Sequence, residues 1–522
     1  MTDLNFDANT VAPATEETEV PAPLVRRDMS TALAKVLAAR QWSPYQQDIF
    51  HFVATGEGNA IVEAVAGSGK STTIIQAMSL AQGESIFLAF NKAIADELKR
   101  KGVNGKTFHA LVYGPVLRFC NQDTVSMDKL RLLSRNLFSF QENKQYGKFA
   151  ARMVGLARGM GFGIEGMVKG TEADWIALAA HHDLEPDGER CFAQAIEAAQ
   201  NLFSACSTDA RVDFDDMLYR AVKDNMNLPK FDCVFVDEAQ DTNPIQRAIL
   251  RKILKPGGRL IAVGDPAQAI YGFRGADSDA LGVLGKEFGC VTLPLSISYR
   301  CPRSVVEYVQ QWVPHIEARP GAPEGVVSDL GTEWNPLEFL PNDLVVCRKA
   351  APLIQTAFRF IRANVPVQVL GRDIGEGLKV LIKKMNVRAG VPGEVEMLEI
   401  KLTAWKEREA AKAMKEDDEA KAESIRDKAD TVLFLIDNLT EGNRTIAALE
   451  GGIDWLFEDK GRAVIFCTGH KSKGLEANRV FWLGRADCPA TWARKPWQKQ
   501  QELNICYVIG TRAMSELYFM EL

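Results

Sequence analysis

Short runs of consecutive apolar residues recur along the chain and disappear in two long stretches. Ala60-Ile61-Val62-Glu63-Ala64, Ser85-Ile86-Phe87-Leu88-Ala89-Phe90, Phe231-Asp232-Cys233-Val234-Phe235-Val236 and Arg259-Leu260-Ile261-Ala262-Val263 read as short strands. Strands without a polar face are what a parallel sheet covered on both sides requires. Helical patterns alternate with them: Ser43 before Pro44 is a cap followed by a first-turn proline, residues 71–77 open a helix, and 91–100 form another. Lys106-Thr107-Phe108-His109 follows a further short strand. This alternation predicts an α/β fold with helices packed on a parallel sheet.

The rhythm stops between about 113 and 210, where the pattern is mainly helical, and resumes at Val212-Asp213-Phe214-Asp215-Asp216. A second α/β unit is expected to begin near Cys290-Val291-Thr292-Leu293. Its further strands are Asp343-Leu344-Val345-Val346-Cys347, Val365-Pro366-Val367-Gln368-Val369-Leu370, Ala463-Val464-Ile465-Phe466-Cys467 and Arg479-Val480-Phe481-Trp482-Leu483. It is interrupted over 379–459, where 394–414 and 419–439 are charged, Ala-rich and nearly free of helix breakers. They read as two helices joined around Glu416-Asp417-Asp418, or as one long helix. The expected organisation is a tail over 1–27, a first unit over 28–113 and 211–288 with a helical insertion at 114–210, and a second unit over 289–378 and 460–522 with a smaller helical insertion at 379–459.

Composition narrows this picture only a little. A chain of 522 residues with 46% hydrophobic and 25% charged residues is globular and long enough for several cores. Its net charge of −6 gives no global attraction to nucleic acid, so such binding has to come from local grooves and stacking. Ten cysteines without CxxC or zinc spacing are expected as reduced core thiols of an intracellular, cytoplasmic protein. The first 23 residues, rich in Thr, Glu, Ala and Pro, lack the apolar stretch of an export signal and read as a disordered tail. No membrane partner is expected.

Two segments carry chemistry. Ala64-Val65-Ala66-Gly67-Ser68-Gly69-Lys70-Ser71 sits between a strand and a helix, which is the context a phosphate loop needs. Gly67 and Gly69 let the backbone of Ala66, Gly67, Ser68 and Gly69 bend so that successive N–H groups face phosphate oxygens, and the helix N-terminus adds partial positive charge. Lys70 is placed to reach the β- and γ-phosphates and the Ser71 hydroxyl to hold Mg²⁺. Ala64 stands where the general pattern has its first glycine. The strand ending at Val236 delivers Asp237 at its carboxyl end as a Mg²⁺ ligand, with Glu238 beside it to polarise an attacking water. Asp213, Asp215 and Asp216 are adequately explained as a helix cap or a solvated acidic turn.

From residue 42 to near the C-terminus these and five further motifs occur in the order found in superfamily 1 helicases of the UvrD/Rep type, which the chain resembles. Ala89-Phe90-Asn91-Lys92-Ala93 followed by Lys106-Thr107-Phe108-His109 is most similar to the F-box DNA helicase branch and its compact phage relatives. The resemblance implies two RecA-like P-loop NTPase domains, each interrupted by a helical insertion, and an ATP- and Mg²⁺-dependent motor walking along single-stranded DNA, usually 3′→5′. It implies DNA single strands and single/double-strand junctions as partners and leaves protein partners open. Carried over by residue, it assigns Gln46, Thr72 and Tyr299 to the nucleotide, with Gln46 hydrogen-bonding and Tyr299 stacking on adenine. Gln268 becomes the γ-phosphate sensor, Arg300 and Arg512 the arginines that reach that phosphate, and Glu476 a ribose neighbour. Phe90, Thr107, Phe108, His109, Tyr271, Phe273, Arg274, Thr468 and His470 fall at DNA-contacting positions. Phe273 stands where many relatives have Trp, and Thr72 where several have Arg. An RNA-directed motor of the same superfamily, an ATPase stimulated by single strands without unwinding, a factor that has lost turnover and a P-loop kinase are the alternatives.

Overall fold

The computed structural model describes residues 29–182, 184, 186, 192–270, 272, 279–415, 418–458 and 461–522. The expected tail over 1–27, the joint at Glu416-Asp417, and Tyr271, Phe273 and Arg274 lie outside the described residues. Two compact units are present. One consists of the described residues of Met1–Ala64, Lys70–Pro266 and Tyr271–Leu295, and the other of Val65–Gly69, Ala267–Ile270 and Ser296–Leu522.

In the first unit the apolar runs form β1 (Asn59–Ala64), β2 (Ser85–Ala89), β3 (Gly105–Thr107), β4 (Phe231–Val236), β5 (Leu254–Gly264) and β6 (Cys290–Leu295), all parallel in the order β3-β2-β4-β5-β1-β6. Successive side chains on a strand point to opposite faces. Ile86, Leu88, Val234 and Val236 therefore enter one core with Val112, Val116, Leu218 and Leu250, while Phe87, Phe235, Ile261 and Val263 enter the other with Ile49, Phe50, Ile74 and Leu98. This two-sided burial explains the unbroken apolar runs.

β6 is a correction to the expected boundary. Cys290–Leu295 pairs with β1 along its whole length and is an edge strand of the first sheet, so it does not open the second unit. The first insertion is helical as expected: helices Lys129–Leu137, Phe140–Met160, Glu172–His181 and Phe192–Thr208 enclose a core of their own around Phe149, Met153, Trp175 and Leu202.

The acidic turn before β4 is in part as expected. Asp213 does cap helix Phe214–Lys223, its carboxylate accepting from the Asp216 N–H at 2.8 Å. Asp215 is exposed, but Asp213 and Asp216 are buried. Asp216 is 1% exposed, 2.5 Å from Lys129 Nζ and 2.8 Å from the Arg158 guanidinium, which also holds Asp213 at 2.9 Å. The Lys129 ammonium also donates to the Cys206 and Arg211 carbonyls. The buried charges are paired and hydrogen-bonded, the condition under which burial is tolerated.

The second unit contains β7 (Ile297–Ser298) paired with β8 (Glu317–Ala318), and a six-stranded parallel sheet. The sheet strands are β9 (Val326–Asp329), β10 (Leu344–Cys347), β11 (Val367–Val369), β12 (Val464–Thr468), β13 (Ala477–Leu483) and β14 (Ala513–Met520), in the order β11-β12-β10-β13-β14-β9. Two helices, Glu394–Lys415 and Glu419–Asp437, occupy the second interruption. Unlike the first insertion they share a core with the sheet: Leu398, Leu402, Trp405, Val432 and Ile436 belong to the same buried cluster as Val345, Phe360, Phe466 and Phe481. No helix among the described residues is long and apolar enough to cross a membrane.

Candidate active site

β1 ends at Ala64 and helix Lys70–Met78 begins six residues later. In between, Gly67 and Gly69 take φ of +72° and +79°, a region that side chains with a Cβ avoid. Gly67 has a second reason to be glycine. A Cβ there would come within 2.5 Å of Arg300 Cβ and 2.9 Å of Ser298 Oγ. Its carbonyl accepts the Tyr299 N–H at 2.9 Å. Ser68 is 1% exposed and its Oγ is buried without a hydrogen-bond partner. A buried hydroxyl of this kind, in a loop of left-handed glycines at a helix N-terminus, fits an anion cradle.

In the first unit, β4 and β1 flank β5, so Asp237, Asp265 and Lys70 emerge at one edge of the sheet, the carboxyl edge where open α/β sheets bind ligands. Lys70 Nζ lies 3.5 Å from Glu238 Oε1. Burial alone would lower the lysine pKa. The carboxylates of Glu238, Asp265 and Asp237 outweigh it and raise the pKa above its ordinary value, so the ammonium is held charged. Among the described residues Glu238 is one of six non-glycine residues with positive φ, at +51°, and the other five are asparagines. Strain of this kind persists where surrounding contacts enforce it. The enforcing contacts are visible: the Glu238 N–H donates to Asp237 Oδ1 at 2.9 Å, and Glu238 Oε2 accepts from Gln240 Nε2.

Gln240 was not singled out from sequence. It is 1% exposed, and its Oε1 accepts the Asp265 N–H at 3.0 Å, so one amide fixes both the carboxylate of Glu238 and the end of β5. A Cβ on Gly264 would lie 2.4 Å from that oxygen, which keeps the approach reserved for glycine. The only sequence signal was its position two residues after Glu238.

Among the described residues no group of three or more His, Cys, Asp or Glu is placed to hold a metal ion by itself. Mg²⁺ keeps several waters and takes one or two carboxylates together with substrate phosphates. Asp237, one of the carboxylates around Lys70, and the hydroxyl of Ser71, next to Lys70 in the chain, are the residues that could take such a shared role.

The remaining sequence candidates divide sharply. Gln46 is 2% exposed, its Nε2 donating to Thr73 Oγ1 at 2.9 Å and its Oε1 accepting the Ser43 N–H at 3.1 Å. Ser71 and Thr72 are exposed on the following helix. Tyr299 is 38% exposed. The Arg300 guanidinium meets Glu476 at 2.9 Å and the Thr511 carbonyl at 3.3 Å, bringing those two assigned residues together. Gln268 is buried, and its carbonyl accepts from Lys473 Nζ at 2.8 Å. Arg512 is 1% exposed and donates to the Val508 carbonyl, the Leu475 carbonyl and Thr511 Oγ1 at 2.8, 3.0 and 3.1 Å.

Of the assigned DNA contacts, Phe90 is 41% exposed, and Thr468 and His470 are half-buried. Thr107 caps helix Phe108–Cys120 through its hydroxyl. Phe108 is 5% exposed and packs in the first unit's core, so in this conformation its faces are taken up by packing. His109 lies edge-on to Phe214 at 5.7 Å, and burial pushes its pKa down, leaving a neutral imidazole at neutral pH.

Comparison with known proteins places this geometry in context. Residues 45–289 match the UvrD/REP helicase N-terminal domain. The chain is 24% identical over 496 residues to F-box DNA helicase protein 1 of Schizosaccharomyces pombe, covering 87% of this chain and 55% of that protein. It is 25% identical over 309 residues to DNA helicase II of Haemophilus influenzae, and 26% identical over 309 residues to DNA helicase II of Escherichia coli, each match covering 52% of this chain and 40% of the relative. The chain thus spans about half the length of the curated relatives it matches.

Proposed function

We propose that this chain, whose residues 45–289 match the UvrD/REP helicase N-terminal domain, is a UvrD-like superfamily 1 helicase that hydrolyses ATP and uses the energy to move along single-stranded DNA. The observation that carries the reading is Lys70 held charged among Glu238, Asp237 and Asp265 at the carboxyl edge of β1, β4 and β5. The names of the relatives supply the DNA. Movement in the 3′→5′ sense, duplex unwinding and protein displacement are part of the proposal.

In this reading the backbone N–H groups of 67–69 and the Lys70 ammonium receive the β- and γ-phosphates, while the N–H of Ala66, expected to join them, donates to the Tyr507 hydroxyl. A Mg²⁺ ion carried by the Ser71 hydroxyl and Asp237 would neutralise charge on the same oxygens. Glu238 takes a proton from water as the water oxygen attacks the γ-phosphorus and the bond to the ADP oxygen breaks, giving ADP and phosphate. Gln240 keeps the Glu238 carboxylate aimed. Arg300 and Arg512 are proposed to stabilise the transferred group, and Gln268 to report its loss. Gln46 and Tyr299 are proposed to hold adenine, Glu476 the ribose, and Phe90, Thr107, His109, Thr468 and His470, with Tyr271, Phe273 and Arg274, the DNA.

Strand displacement on duplexes bearing a 3′ or a 5′ single-stranded overhang, with and without ATP, tests the directional part. Displacement only from the 3′ overhang is expected. Displacement only from the 5′ overhang would reverse the polarity, and ATP-driven displacement of RNA but not DNA strands would favour the RNA-directed reading.

A further inference from the structure

Helix Pro496–Gly510 and its C-cap residue Thr511 carry three contacts. Asn504 Nδ2 donates to the Ala269 carbonyl at 2.9 Å. Three residues on, the Tyr507 hydroxyl accepts the Ala66 N–H at 2.9 Å. Four residues further, the Thr511 carbonyl accepts from the Arg300 guanidinium. All of these residues lie in the unit that includes Val65–Gly69 and Ala267–Ile270. Tyr507 is 0% exposed, so its hydroxyl reaches Ala66 from a ring locked by packing.

We propose that Tyr507 is a positioning residue for nucleotide binding, its hydroxyl holding the Ala66 amide and thereby preforming the phosphate loop. The inference rests on the ATPase reading but adds a residue that the motif assignments leave without a role. Ala66 immediately precedes the left-handed turn at Gly67, so fixing its amide fixes the direction from which the next N–H groups face phosphate. A loop held in its binding shape spends less of the binding interaction on ordering. The same hydroxyl ties the loop to the helix whose C-cap carbonyl, that of Thr511, meets Arg300.

Tyr507→Phe removes the hydroxyl and keeps the ring. The first readout is nucleotide affinity, measured by fluorescence titration with N-methylanthraniloyl-ADP, which needs no turnover. Leaving a buried amide without its acceptor is expected to weaken binding about ten-fold. KM for ATP should rise by the same factor while kcat at saturation stays within about two-fold, because Lys70 and Glu238 are untouched. The second readout is hydrogen exchange on the nucleotide-free protein: the peptide covering 65–69 should exchange faster in the variant, with peptides of the β4 core unchanged. A merely structural tyrosine would lower the melting temperature and kcat together without that split. Equal nucleotide affinity and equal exchange in the two proteins would overturn the inference while leaving the ATPase reading intact. Failure of the wild-type protein to bind nucleotide at all would overturn both.

Discussion

At Gly67 two constraints meet that are of different origin. Its φ of +72° is a local demand, legible from a glycine in a phosphate-loop pattern. The 2.5 Å approach of a hypothetical Cβ to Arg300 is non-local, and nothing at position 67 announces it. Gly67→Ala should therefore abolish measurable nucleotide binding, whereas Ser68→Ala, which deletes an unpartnered hydroxyl, should weaken it much less. Titration with a fluorescent nucleotide separates the two. The paired arginines give a second contrast. Arg300 belongs to a half-exposed ion pair with Glu476, a kind worth about 0–1 kcal/mol, so Arg300→Ala should barely change the melting temperature. Arg512 is buried with three hydrogen bonds, and Arg512→Ala should cost about 2–3 kcal/mol of stability by orphaning carbonyls, beyond any loss of turnover. Calorimetry on both variants checks this, and equal melting temperatures would contradict it. Sequence placed both residues through motif order alone. It could not reveal that one is embedded and the other at an ion pair, because burial depends on which helices pack above them.

Among the elements, β1, β2, β4 and β5 were legible because their runs are apolar on both faces, a pattern that short-range sequence expresses fully. β6 was legible as a strand but was assigned to the wrong sheet. The run Cys290–Leu295 carries no mark of its partner, and pairing with β1 across more than two hundred residues is a tertiary choice. The helices Glu394–Lys415 and Glu419–Asp437 were legible as helices, yet their charged composition hid how completely one stripe joins the sheet's core. The acidic turn at 213–216 was legible as a helix cap, but the burial of Asp213 and Asp216 was not, because their cations, Lys129 and Arg158, come from the insertion far upstream. That network carries an element-level prediction. Lys129→Ala leaves Asp216 buried beside fewer charges and should cost about 3–5 kcal/mol, while Arg131→Ala, which removes an exposed pair with Asp128, should cost well under about 1 kcal/mol. Denaturant melts of the two variants should differ accordingly. Similar midpoints would mean that the buried network holds nothing together.

Across the whole molecule, two parallel sheets carry the chemistry on loops at strand ends, so the motifs could be read before the fold was seen. The residues that aim them could not. Gln240 and Tyr507 act through contacts with Glu238, Asp265 and Ala66 that only folding creates. On the proposed reading, Lys70 and Glu238 hydrolyse ATP in response to a DNA single strand. Phosphate release, followed for the wild type, Lys70→Ala and Glu238→Gln with and without single-stranded DNA, tests it most directly. Turnover by the wild type is expected to rise on adding DNA, with a loss of about 10²–10⁴-fold in both variants. Release that ignores DNA, or that survives unchanged in Glu238→Gln, would contradict it.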